Sequence, residues 1–155
     1  MTLKLFVSYS TRDLALVNIA KAMLEGPGVE VYVAEHSLMP GKDIAQTVTA
    51  KIKECDLFLL LWSANAAGSD WVPQEIGIAK ASSREIVPVV LHRGVALPGF
   101  ISGLKYLDFA SNPQGAFAWL EQNIAKRAEG KRAHEGLVWL GIGGALLWLF
   151  SKGGE

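Results

Sequence analysis

The chain has 155 residues, half of them apolar and 19% charged, with 15 Lys plus Arg against 15 Asp plus Glu. That length suits one folded domain better than two, and the even charge balance removes the nucleic-acid-binding class, which carries a basic excess or a basic face. The single cysteine, Cys55, excludes an intramolecular disulfide and a cysteine-based metal cluster. It favours a reducing compartment, and the apolar run at the N-terminus is too short for the core of a signal peptide, so the folded part is expected in the cytoplasm.

Residues 3–9 read as a strand, broken by Ser10, Thr11 and Arg12. Leu14, Val17, Ile19, Ala20, Met23 and Leu24 then recur at roughly helical spacing up to a stop at Gly26-Pro27-Gly28. Residues 29–33 form a second strand. A loop over 34–42, turning at Pro40-Gly41, leads to a helix over 43–54 with Ile44, Val48 and Ile52 on one face. Residues 56–62, DLFLLLW, are apolar on both faces, the mark of a central strand covered by helices on each side. A small-residue loop over 63–69 precedes a helix over 70–82, with Pro73 tolerated in its first turn. Residues 86–91 predict another buried strand, 106–109 a short last strand, and 116–128 a last amphipathic helix. Alternation of strand and helix requires crossover connections, so the expected class is α/β: a doubly wound parallel sheet of five strands with helices on both faces.

The domain is expected over 1–128, a charged joint over 129–135 and a hydrophobic helix over 136–151. The last stretch carries no charge before Lys152; sixteen helical residues reach roughly 24 Å, short of the roughly 30 Å hydrocarbon core. It reads as a membrane anchor of marginal length, with packing in a protein assembly as the rival reading. The basic cluster of Lys126, Arg127, Lys131 and Arg132 is either a solvated helix end or a positive flank that keeps this side of the tail cytoplasmic.

In an open parallel sheet the ligand crevice lies outside the carboxyl ends of the strands. No glycine-rich phosphate fingerprint occurs there, which removes support for dehydrogenase and nucleotide-kinase readings. Three motifs do occur in order: Phe6-Val7-Ser8-Tyr9-Ser10, Leu38-Met39-Pro40-Gly41, and Trp71-Val72-Pro73-Gln74-Glu75 ahead of Ile86-Val87-Pro88-Val89-Val90. Together they resemble the TIR (Toll/interleukin receptor) family over about residues 3–125. The resemblance is to members that cleave NAD, and it implies the flavodoxin-like TIR sheet. Two departures stand out. Glu35-His36-Ser37 replaces the Arg-Asp that often precedes the Pro-Gly, and a late Phe-Trp motif is missing, with Phe100 and Leu97-Pro98-Gly99 in that region.

Cleaving NAD between ribose and nicotinamide expels a cationic leaving group and develops oxocarbenium character, which a nearby carboxylate stabilises. The resemblance implies that Glu75 is this carboxylate. Trp71, four residues earlier on the same helical face, supplies an indole wall. A Glu in the first turns of a helix is also favoured by the helix dipole alone. The substrate-binding candidates are Tyr9, Ser10, Arg12, Tyr32, Ser63 and Trp71; by resemblance Tyr32 stacks near the nicotinamide ribose, although a strand tyrosine is more often sheet filling. Pro40 and Gly41 form an assembly loop, since family enzymes complete their site by self-association. No metal site is recognisable, His36, His92 and His134 read as surface or loop residues, and Cys55 as a small core residue. NAD is thus expected as substrate, with no cofactor. The implied activity is NAD glycohydrolysis, yielding nicotinamide and ADP-ribose or a cyclic isomer, in immune or antiphage signalling. The alternative is a non-catalytic TIR–TIR interaction module at a membrane.

Overall fold

The computed structural model describes residues 2–34 and 43–152, with side chains as far as residue 134. Its strands are β1 (Leu3–Ser8), β2 (Val29–Val33), β3 (Leu57–Trp62), β4 (Ile86–Val90) and β5 (Leu107–Asp108); its helices are α1 (Leu14–Leu24), α2 (Ile44–Glu54), α3 (Ala64–Ala67), α4 (Val72–Ala81) and α5 (Pro113–Lys152). All strand pairings are parallel, in the order β2-β1-β3-β4-β5. This is the doubly wound five-stranded arrangement expected from the alternation of elements.

Every position of β3 is buried because each face of the sheet has its own core. Leu57, Leu59 and Leu61 join Leu5, Val7, Val17 and Leu120 under α1 and α5, while Phe58, Leu60 and Trp62 join Phe6, Ile52, Val72 and Ile76 under α2 and α4. The period-2 alternation of side chains thus divides one apolar run between two cores. Helix α1 buries Val17, Ala20 and Leu24, leaving Leu14, Ile19 and Met23 more than a third exposed. Its apolar sequence is wider than the stripe the sheet covers.

Pro88 sits inside a buried strand, and the pairing explains how. The Leu91 amide donates to the Trp62 carbonyl and the Glu85 carbonyl accepts from the Phe58 amide, so the odd-numbered residues of β4 face β3. Pro88 therefore directs its missing N–H toward β5, which is only two residues long.

The last helix corrects one expectation. It does not stop near residue 128; it starts at Pro113 and runs through residues 129–135 to Lys152 as one helix of 40 residues. The joint is rich in Ala, Glu, Lys and Arg, strong helix formers, and a single Gly130 costs only about 1 kcal/mol against Ala. Two cations of α5 are tied to the base of the sheet. Arg127 grips Glu85 with two hydrogen bonds of 2.6 Å, and Lys131 donates to Asp56 at 2.8 Å and to the Thr2 carbonyl at 2.9 Å. The Arg127 hydrogen bond holds the Glu85 carboxyl below its usual range. At Asp56 burial acts the other way, but donation from Lys131 and from the Lys4 amide outweighs it and keeps that carboxyl low as well. Among the described residues no helix is long and apolar enough to cross a membrane. The side chains of the 136–151 stretch, where the anchor was expected, lie outside the described residues.

Gly28 ends the α1–β2 connection at φ +81°, and a Cβ there would stand 3.0 Å from the Arg132 guanidinium. The side chain is long enough to move aside, so the backbone sets the cost. Gly28→Ala is expected to lose about 1–2 kcal/mol in urea unfolding; an unchanged midpoint would show that the turn relaxes freely.

Candidate functional site

Helix α4 buries Val72, Glu75, Ile76 and Ala79. These are one apolar stripe at i, i+3, i+4 and i+7, and Glu75 occupies a core position of it. It is 2% exposed. A helix-dipole role requires nothing of the kind, because a first-turn carboxylate gains that interaction on the solvent side. Ser69 organises the helix start, its Oγ accepting from the Trp71 and Val72 amides at 3.2 and 3.4 Å. The Glu75 amide then donates to the Trp71 carbonyl at 3.0 Å, which places the two side chains one turn apart. Both line a cavity of about 40 Å³ between α2 and α4, whose other walls include Ile44, Val48 and Ile78. Trp71 is 41% exposed at its mouth. A space of that size holds about one water, far below the roughly 300–1,000 Å³ of a ligand site. Ile44 opens α2; Pro40 and Gly41, expected as an assembly turn, lie outside the described residues.

The strand order reverses between β1 and β3, and the residues after them meet across the sheet end. Ser63 Oγ donates to Asp13 Oδ2 at 2.5 Å and accepts from the Ala66 amide at 3.0 Å, while Asn65 Nδ2 donates to Asp13 Oδ1 at 3.0 Å. Asp13 thus clasps the start of α1 to the start of α3. The sequence carries only a weak signal for it, a carboxylate immediately before a helix, which suggests an N-cap; Asp13 makes no side-chain cap bond. Asp13→Ala strands the fully buried Ser63 hydroxyl and is expected to cost about 1–3 kcal/mol. Combined with Ser63→Ala the loss should fall about 1 kcal/mol short of the sum of the singles, and strict additivity in a double-mutant cycle would contradict the clasp.

The remaining candidates separate. Tyr32 is half-buried on the Glu75 side of the sheet, against Phe6 at 5.5 Å and under the Lys51 ammonium at 5.5 Å. Tyr9 belongs to the opposite core, and its hydroxyl donates to the Ala34 carbonyl at 2.8 Å, joining the ends of β1 and β2. Ser10 is buried and accepts from the Arg12 amide at 3.3 Å, whereas Arg12 is exposed. Ser8, overlooked inside the first motif, is fully buried with no hydrogen-bond partner for its hydroxyl among the described residues. By strand alternation it shares the Phe6 face, under α2 and α4. Burial pushes the Cys55 thiol up to about 11, which leaves it inert as a nucleophile.

A doubly wound parallel sheet with a carboxylate set into the core stripe of α4 defines the class of domain. The chain belongs to the TIR-domain family, whose model matches residues 5–123. Among solved structures, it is similar to the TIR domain of a Toll-related receptor from Hydra magnipapillata, at 19% identity and a TM-score of 0.65, over 81% of this chain and 97% of that one. A prokaryotic SEFIR domain is similar at 19% identity and a TM-score of 0.58, covering 79% of this chain and 99% of that one. A Clostridium botulinum CMP N-glycosidase shares the fold at 19% identity and a TM-score of 0.55, over 73% of this chain and 95% of that one. No curated protein matches the sequence.

Proposed function

We propose that this TIR domain cleaves the bond between nicotinamide and ribose in NAD, with Glu75 as the carboxylate that stabilises the developing oxocarbenium charge. The observation that carries this reading is the position of Glu75: an acidic side chain, 2% exposed, in the buried stripe of α4 and the wall of a cavity with Trp71 at its mouth. Burying a carboxylate costs stability that an apolar residue would not, and such positions concentrate at functional sites. A surrounding of low polarity also strengthens its attraction for a cationic sugar. The products are nicotinamide with ADP-ribose or a cyclic isomer, used in immune or antiphage signalling.

The small cavity means that the substrate enters only after the wall between α2 and α4 opens. Self-association through the loop containing Pro40 and Gly41 supplies that step in this reading, so activity rises with protein concentration. Attachment to a membrane through residues 136–151, with the domain on the cytoplasmic side, rests on the sequence alone. The second reading, a non-catalytic TIR–TIR interaction module, is favoured by the same small volume. Concentrated purified chain incubated with NAD and, separately, with CMP, the substrate class of the similar N-glycosidase, tests the choice by chromatography. Nicotinamide from NAD without cytosine from CMP is the expected result. No cleavage of NAD at any protein concentration leaves the interaction module.

A further inference from the structure

Among the described residues, four of the eight large apolar side chains that stand exposed, Phe100, Leu104, Tyr106 and Trp119, line one groove of about 830 Å³ between α4, β5 and α5. It shares no residue with the Glu75 cavity. Apolar exposure concentrated in one place marks an interaction site more often than scattered exposure does. The rim is cationic. Lys80 donates to the Phe100 carbonyl and lies 5.9 Å over the Phe100 ring, and Arg84 donates to the Ser82 and Cys55 carbonyls. These acceptors are neutral, so among the described residues they leave the charges uncompensated. Lys105 is exposed on the same wall, and Glu85, the carboxylate of the groove, is already gripped by Arg127. A chain of zero net charge thus gathers a local positive excess around an apolar floor.

The groove also contains a strand edge. β4 pairs with β3 at all five of its residues but with β5 only at Val89 and Val90. By the alternation described above, Ile86 directs its N–H and C=O toward the side where β5 has not yet begun, while the Val89–Leu107 pairing takes up the Pro88 carbonyl. An extended chain can meet the Ile86 groups with its own backbone, place apolar side chains on the floor and set carboxylates against Lys80, Arg84 and Lys105. A small anion has neither the length nor the backbone to do so. We propose that this groove binds an extended, acidic and hydrophobic peptide segment of a partner protein. Pro88 offers no amide, so side-chain contacts carry most of the affinity and the strand edge fixes direction.

The test uses the full chain and a fluorescein-labelled ten-residue peptide that alternates Glu with Leu and Phe, beside the same peptide with Lys in place of every Glu. Fluorescence anisotropy should give saturable binding of the acidic peptide, weaker by about tenfold for the lysine peptide, and weaker again at high salt. Lys105→Glu and Phe100→Ser, both exposed and outside the Glu75 cavity, should each reduce the affinity about fivefold or more. Absence of saturable binding, equal binding of the two peptides, or affinity left unchanged by either variant would overturn the proposal. So would sedimentation equilibrium showing a dimer that Phe100→Ser dissolves and the acidic peptide does not, for then a second copy covers the groove.

Discussion

Glu75→Gln is expected to reduce nicotinamide release by about 10²- to 10³-fold in a protein that still folds. The activity loss follows from removing the charge that meets the oxocarbenium ion, an interaction made chiefly in the transition state, so the fall should appear in kcat rather than KM. The stability follows from the position. Glu75 stands in the stripe Val72–Ile76–Ala79 and is buried as deeply as they are. A neutral amide of nearly the same shape preserves that packing, so the variant should still fold and unfold cooperatively. Calorimetry beside the kinetic assay checks both halves. Full activity in a folded variant removes Glu75 from the chemistry, and a large loss of stability would mean that the carboxylate is a structural group.

The largest effect on the fold is expected from Phe58→Ala. Phe58 is fully buried in the central strand, stacked against Phe6 with ring centroids 5.3 Å apart and joined to the core under α2 and α4. The substitution should cost about 3–5 kcal/mol, the loss of transfer energy plus the cavity left behind. Against a total stability of about 5–15 kcal/mol that is a large share. Urea unfolding should show a lower midpoint with an unchanged slope. A cost below about 1.5 kcal/mol would mean that Phe6 and Tyr32 collapse into the space and that this core is poorly packed.

The sheet was legible because its signals are local. The run 56–62 could only be a strand covered on both sides, and Gly28, at positive φ, ends the α1–β2 connection as the stop signal at residues 26–28 suggested. What escaped depends on neighbours distant in sequence. Nothing local says that Leu14, Ile19 and Met23 face outward while Val17, Ala20 and Leu24 face the sheet, since all six fit one helix. The reach of α5 past residue 128 was not legible because Arg127 and Lys131 are held by Glu85 and Asp56, more than forty residues away along the chain. At the candidate site, the pairing of Trp71 and Glu75 follows from helical spacing, but the depth of Glu75 and the clasp made by Asp13 emerge only when α2, α3 and α4 are packed together.

The central claim is that NAD seats at the Glu75 cavity, and the molecule offers an internal choice that tests it. Trp71, 41% exposed, lines that cavity, whereas Trp119, 38% exposed, lines the larger groove. The measurement is a titration of NAD into the Glu75→Gln chain, followed by the indole N–H resonances, each assigned by a single Trp→Phe change. The account predicts a saturable shift of the Trp71 signal with Trp119 unmoved. A shift at Trp119 with Trp71 unmoved would place the nucleotide in the larger groove and contradict the assignment of the site.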